Sequence, residues 1–299
     1  MALAHTPYDG SSKPFSIGLK PLDPARWVEP DARIDEVLAL KDRLFRDERA
    51  TVFRQTEQSG QAQAEVLELL AGHLPLAHPE VYRRDGERLR IGGNGRSVRL
   101  DDQSVPPLER AARLVAEDLV IMQRRDGAWH LTAAALAFPS SWSLAEKFER
   151  PLDDIHAHVP DFGPGTRNAA LIGRIFDNLL VEQPVWRLNW SIYPDADLFH
   201  PKRKDERPAS FVPQVGPYDT FVRVERQTLR KLPVTGAILF TIRIHVDPLA
   251  AIAAHEKAAA LAAGLHDQLA ALTPPQVAYK GLGPTRDRLL GELRAMAGR

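Results

Sequence analysis

Five β-rich runs between Asp118 and Val246, divided two and three by a helical stretch, constrain the fold of this chain more than any other feature. Asp118–Gln123 and Trp129–Phe138 flank Asp126-Gly127, a dipeptide suited to the positive φ angles of a tight hairpin turn. Val185–Tyr193 alternates, with Trp186, Leu188, Trp190 and Ile192 on one side and Arg187, Asn189, Ser191 and Tyr193 on the other. Phe221–Leu229 and Ala237–Val246 complete the set, joined through Leu232-Pro233 and Gly236. Two strands, helices, then three strands predict an α+β fold with an antiparallel sheet.

Helices flank this core in the sequence. Residues 1–30 are rich in Pro and Gly and read as a surface wrap. Residues 31–246 form the main α+β domain with its N-terminal helices, and 247–299 a C-terminal helical extension. Ile34, Val37, Leu38, Leu40, Leu44 and Phe45 share one face of a helix expected from Ile34 to about Gln55. A second helix is expected over Gln61–Leu70, ended by His73, Pro75, His78 and Pro79. Arg88–Leu100 reads as a hairpin around Gly92-Gly93-Asn94-Gly95. Ser143-Leu-Ala-Glu146 fits a capping box, and a further helix is expected over Ala169–Val181. Asp247-Pro248 fits the start of one long helix to about Leu272, followed by a shorter one near Thr285–Met296.

Composition narrows the chemistry. Lys+Arg and Asp+Glu both number 39, so no bulk field attracts nucleic acid or an anionic membrane. There are no cysteines, which excludes disulfides, thiolate-ligated iron and a cysteine nucleophile. Histidine is therefore the leading ligand for any iron. The opening residues lack the basic and apolar regions of a secretory signal, and no apolar run approaches the ~20 residues of a membrane span. A cytoplasmic location is the expectation.

Of the ten histidines, His156 and His158 stand out. They lie between Pro151 and Pro160, and an extended His-x-His would place both imidazoles on one side. A rigid loop with one ring bonded to backbone is the plainer alternative. His130 reads as a hydrogen-bonded strand residue, and His245 shares a strand face with Thr241 and Arg243. Arg187, Arg223, Arg226 and Arg243 lie on adjacent strands, where one or two could clamp carboxylates. Glu225 is the candidate acid, with a cross-strand Arg–Glu pair worth under about 1 kcal/mol as the alternative. Ala133, Ala134, Ala135 and Ala137 either clear room beside the sheet or allow close helix packing. Trp142 and Trp190 are candidate walls or core residues.

Three stretches resemble one family. They are Phe138-Pro-Ser-Ser-Trp142 with Lys147 and Ile155-His156, then Arg187-Leu188-Asn189-Trp190, and then Arg223 to Leu229 continuing through Leu232-Pro233 to Arg243. In this order they resemble the heme-dependent oxidative N-demethylases. The resemblance implies a PAS-like sheet with a helical flank and a heme b cofactor. It implies His156 as the proximal ligand, with His158 as runner-up, and arginines (Arg187, Arg223, Arg226, Arg243) with Trp142 around the cofactor. It further implies a small secondary amine such as dimethylamine as substrate, dioxygen as oxidant, and formaldehyde as product. NADPH, flavin and an iron–sulfur cluster are expected on a partner reductase subunit, and tetrahydrofolate is a possible one-carbon acceptor. Two alternatives stay open: a heme-PAS sensor without turnover, and a non-heme metalloenzyme using His156, His158 and a carboxylate.

Overall fold

The structure, a computed structural model, describes residues 3–203, 206, 208, 211, 212, 216 and 219–298. Its centre is an antiparallel sheet in the order β1 (Lys20–Pro21), β8 (Val185–Tyr193), β9 (Phe221–Lys231), β10 (Ile238–Pro248), β6 (Asp118–Arg125), β7 (Ala128–Ala135) and β2 (Phe53–Gln55). The fold is thus α+β, and the five expected strands form its middle. β6 and β7 turn at Asp126 and Gly127, with φ of 51° and 82°. β8, β9 and β10 form a meander, and β10 returns beside β6.

Register assigns each side chain a face. Arg187 lies opposite Gln227, and Gln227 opposite Ile242; Asn189 lies opposite Glu225. These residues share one face of the sheet. One residue along, Leu188, Arg226 and Arg243 are aligned on the other face. There Trp190, Val222 and Val224 pack with Leu249 and Leu265 in a second apolar cluster. Trp190 Nε1 donates to Gln268 Oε1 at 2.7 Å, and Gln268 Nε2 donates onward to the carbonyls of Pro7 and Ser12. One glutamine thereby ties strand, helix and N-terminal segment together. Gly264 is needed at this junction, because a Cβ there would collide with the Tyr8 carbonyl.

Several boundaries differ from the sequence expectation. The first helix, α1 (Ile34–Asp47), ends early; after a single turn, α2 (Arg49–Val52), the chain enters β2 and pairs with Ala133–Ala135. Edge pairing there overrides the helical pattern. The second helix, α3 (Gly60–Ala77), runs through Pro75, which has no N–H to donate to the Ala71 carbonyl, and ends within a turn of it. The expected hairpin gains a strand, giving β3 (Tyr82–Asp85), β4 (Arg88–Ile91) and β5 (Arg96–Arg99). After α4 (Pro107–Ala112), which packs on β6 and β7, Ala133, Ala134, Ala135 and Ala137 are wholly buried. Close packing, not room for a ligand, is what these alanines provide.

The capping box at Ser143 does not form: α5 (Leu144–Lys147) is a single turn without a side-chain cap. After α6 (Leu152–Ile155) comes α7 (Arg167–Asn178), which is capped by Thr166. The long C-terminal helix is also not continuous. β10 continues through Asp247 and Pro248, and four helices follow: α8 (Leu249–Ala253), α9 (Ala258–Ala270), α10 (Pro274–Lys280) and α11 (Arg286–Met296). A capping box does occur at Thr273 and Gln276, opening α10, while Gly281 at φ 70° closes it.

The Phe138–Trp142 segment is held by buried charges. Asp118, fully buried, accepts the backbone N–H groups of Ala137 and Phe138, both at 2.8 Å. Lys41 Nζ lies 3.8 Å from the same carboxylate and donates to the carbonyls of Val115 and Glu117. Burial pushes Lys41 down and Asp118 up, while their mutual attraction and the two backbone N–H bonds to Asp118 favour the charged pair. Arg223 closes the segment from the other side. Its guanidinium donates to the carbonyls of Phe138, Asp197 and Leu198 at 2.9, 3.0 and 3.0 Å, and to Ser140 Oγ at 3.0 Å.

Replacing Asp118 would leave two buried N–H groups without their acceptor and the Lys41 ammonium without its counter-charge. Breaking a buried pair in this way costs about 3–5 kcal/mol. Asp118→Ala is therefore expected to lower the unfolding free energy by that amount in urea titration. A loss under about 1 kcal/mol would mean the clamp is dispensable.

Candidate functional site

A cavity opens between the first sheet face and the segment from Ser140 to Phe176. Its volume is ≈ 250 Å³, far above the ~10–15 Å³ that one water occupies on the same measure, so the space suits an organic ligand. Val120, Met122, Leu229, Phe240 and Ile242 supply the apolar sheet wall. Ile155, Val159, Phe162, Ile172 and Phe176 supply the helical wall. Phe15, Ile17 and Leu19 from the N-terminal segment, and Tyr279 and Lys280 from α10, complete the lining.

His156 sits at the C-terminal end of α6, with its ring on this cavity. Its Nδ1 is 3.0 Å from the Leu152 carbonyl. A carbonyl can only accept, so Nδ1 carries the hydrogen and Nε2 presents a lone pair. Nε2 has no hydrogen-bond partner among the described residues. Burial, aided by the nearby Lys147 and Arg187 charges, pushes His156 down to about 4. The ring is therefore neutral at neutral pH, with its orientation fixed by a backbone bond, as a metal-ligating imidazole requires.

Three cations share the lining: Lys147, Arg187 and Lys280. Burial pushes both lysines down to about 8 and also lowers Arg187. Lys147 lies 4.5 Å from the centre of the Trp142 ring. Lys280 donates to the Trp190 carbonyl and lies 4.8 Å from the Trp190 ring centre. Among the described lining residues, Glu225 is the one carboxylate. Its Oε2 accepts from Gln227 Nε2 at 2.7 Å and from Asn189 Nδ2 at 3.5 Å. Oε1 has no hydrogen-bond partner among the described residues.

Of the residues singled out in the sequence, His156, Trp142, Arg187 and Glu225 come together on the cavity. Arg223 shares their sheet face but is spent at its end, clamping the Phe138–Ser140 and Asp197–Leu198 carbonyls. Arg226 and Arg243 are on the opposite face. Arg226 donates to the Trp27 carbonyl at 3.1 Å and pairs with Glu29 at 3.0 Å, whereas Arg243 pairs with Asp31. Trp190 is also core on that face, and His130 bonds to the Ala128 carbonyl. The expectation that His156 and His158 point the same way is corrected. The chain turns at His156, with φ −100° and ψ 3°, so it is not extended there. His158 is 84% exposed, 3.9 Å from Glu146.

Lys280, Tyr279, Asn189 and Gln227 escaped the sequence reading as site residues. Asn189 and Gln227 were recoverable from strand alternation, since they share the face of Arg187 and Glu225. Nothing in the spacing of α10 pointed to Lys280. Only the tertiary return of the C-terminus brings it to β8.

A family model described as "Haem-dependent oxidative N-demethylase, alpha subunit-like" matches residues 18–290 of the 299. The residues present fit the heme that this description names. His156 offers an oriented, neutral Nε2, and the walls offer apolar surface for a macrocycle. Three cations against one carboxylate suit a ligand bearing two propionates.

Two outcomes follow from this geometry. His156→Ala is expected to lose the Soret band of the heme-loaded protein, whereas His158→Ala and His255→Ala keep it. Loss of the band in His158→Ala with retention in His156→Ala would reverse the ligand assignment. Heme affinity of the apoprotein should be flat between about pH 5 and 7. It should weaken as pH rises through about 8, where Lys147 and Lys280 discharge, and as pH falls through about 4, where His156 protonates. Declines near the unperturbed values of 10.5 and 6.5, read by Soret titration of apoprotein, would place these groups outside the binding step.

Proposed function

Since the chain belongs to the haem-dependent oxidative N-demethylase, alpha subunit-like family, we propose that it removes a methyl group oxidatively from a small secondary amine. The reading rests above all on His156, whose Nε2 is left open on the cavity while Nδ1 is committed to Leu152. Heme b, when bound, supplies the iron that activates dioxygen. His156 would ligate the iron, Lys147, Arg187 and Lys280 would meet the propionates, and Trp142 bounds the pocket beside Lys147. We read the sheet and its helical flank as a PAS-like enclosure for this ligand.

Glu225 is assigned to the substrate. A secondary amine is a cation at neutral pH, and burying it without a counter-charge is costly. Gln227 and Asn189 fix Oε2, which leaves Oε1 to pair with the ammonium and take a proton from it. For dimethylamine the balance is one amine, one dioxygen, two electrons and two protons, giving methylamine, formaldehyde and water. The two electrons come from NADPH through a reductase subunit carrying flavin and an iron–sulfur cluster. An alpha-subunit description accords with such a division, and this chain has no cysteine for a cluster of its own. Tetrahydrofolate is the proposed acceptor of the one-carbon product. No helix among the described residues is long and apolar enough to cross a membrane, which accords with the proposed cytoplasmic setting.

Glu225→Gln preserves shape and hydrogen bonding but removes the charge. Its expected effect is a fall of at least tenfold in kcat/KM for dimethylamine, with the Soret band unchanged, assayed with the reductase or a chemical reductant. Wild-type turnover would reduce Glu225 to a structural partner of Gln227 and Asn189. Heme binding with no amine-dependent electron uptake in the unmodified protein would favour the non-catalytic sensor instead.

A further inference from the structure

On the sheet face away from the cavity, three side chains distant in sequence converge under the N-terminal segment. His5 comes from that segment, Glu29 from the loop before α1, and His245 from β10. His5 Nε2 lies 2.7 Å from Glu29 Oε2, and His245 Nε2 lies 3.7 Å from the same oxygen. Their ligand atoms all fall within 4.8 Å of one another. The His245 side chain is 9% exposed, and its Nε2 is buried without a hydrogen-bond partner. A buried imidazole nitrogen with no hydrogen-bond partner thus lies close to both a carboxylate and a second imidazole.

We propose that His5, Glu29 and His245 bind a divalent transition-metal cation of the Zn²⁺ type, separate from any heme and from the cavity. Two imidazoles and one carboxylate are a borderline donor set, suited to Zn²⁺, Co²⁺ or Ni²⁺ and poorly suited to Ca²⁺ or Mg²⁺, which take oxygen ligands. With metal–ligand bonds of about 2.0–2.2 Å, tetrahedral ligands stand roughly 3.3–3.5 Å apart. His245 and Glu29 are already near that spacing, and His5 must withdraw by under about 1 Å. The metal displaces the proton shared by His5 and Glu29. Water fills the fourth position.

The surrounding charges allow this. Arg226 Nε lies 3.0 Å from Glu29 Oε1, and Arg26 lies 3.6 Å from it, so the arginines occupy one carboxylate oxygen and leave Oε2 for the metal. Asp31 pairs with Arg243, the neighbour of His245, and Glu117 Oε1 accepts the Glu29 N–H at 2.9 Å. Asp247, close to His5, adds a further carboxylate to offset the metal's charge. Coordination would clasp the N-terminal segment, through His5, onto β10.

The test uses tag-free, full-length protein freed of adventitious metal, titrated with Zn²⁺ and analysed by calorimetry and plasma mass spectrometry after gel filtration. One Zn²⁺ per chain is expected, together with a rise in Tm. Affinity should drop at least tenfold in His5→Ala and in His245→Ala, and remain in His156→Ala. His5→Ala changes only the N-terminal segment, so it decides the matter if His245→Ala fails to fold. Absence of stoichiometric Zn²⁺, or Zn²⁺ binding unaffected by His5→Ala, overturns the proposal.

Discussion

The buried carboxylate of Asp118 is the interaction on which the cavity depends. It satisfies the N–H groups of Ala137 and Phe138 where the chain leaves β7, at a point without ladder partners. Peptide groups buried without acceptors would cost about 1–3 kcal/mol each. Lys41 favours the ionised carboxylate, and Arg223 gathers carbonyls from Phe138, Asp197 and Leu198. The segment so fixed leads through Ser140 and Trp142 into α5 and α6, which carry Lys147 and His156. Removing the clamp would therefore move His156 and Lys147 together, although neither touches it.

The sheet separates two kinds of arginine. Arg187 faces the cavity and keeps its charge in an apolar enclosure. Arg226 and Arg243 face away and are consumed in anchoring the N-terminal segment, through the Trp27 carbonyl, Glu29 and Asp31. This division follows from register alone. A one-residue slip of β9 against β8 would exchange Glu225 for Arg226 on the cavity face and reverse its charge. The side-chain hydrogen bond from Asn189 to Glu225 and the apolar packing of Val222 and Val224 both oppose such a slip.

The strands were legible because period-two alternation, Asp126-Gly127 and Gly236 are local signals. So were the facing of Glu225 and the setting of His156 between prolines. What local pattern could not supply was competition. Phe53–Gln55 has helical spacing but finds an edge partner in β7, and Asp247-Pro248 has a helix-start signature but is claimed by β9. His-x-His lines up two rings only in extended chain, and the turn closing α6 sends His158 to solvent. The four strand arginines looked equivalent in sequence, because what occupies each face is decided by segments far away. Lys280 was invisible for the same reason: its role arises from where α10 comes to rest.

The charges in the cavity imply an order of events. Empty, the site holds Lys147, Arg187 and Lys280 against Glu225, an excess of positive charge that opposes entry of an ammonium ion. The depressed values of about 8 for both lysines reflect burial that the nearby carboxylates, Glu146 and Glu225 for Lys147 and Glu225 for Lys280, only partly offset. A ligand bringing two carboxylates would neutralise that excess and draw the lysines back towards their usual range. Only then does the free Oε1 of Glu225 become a net attraction for a cation. On the proposed function the cofactor is therefore an electrostatic precondition for amine binding as well as the seat of chemistry. On that reading, an apoprotein of this chain should be unreceptive to a small ammonium ion until the cofactor's carboxylates are in place.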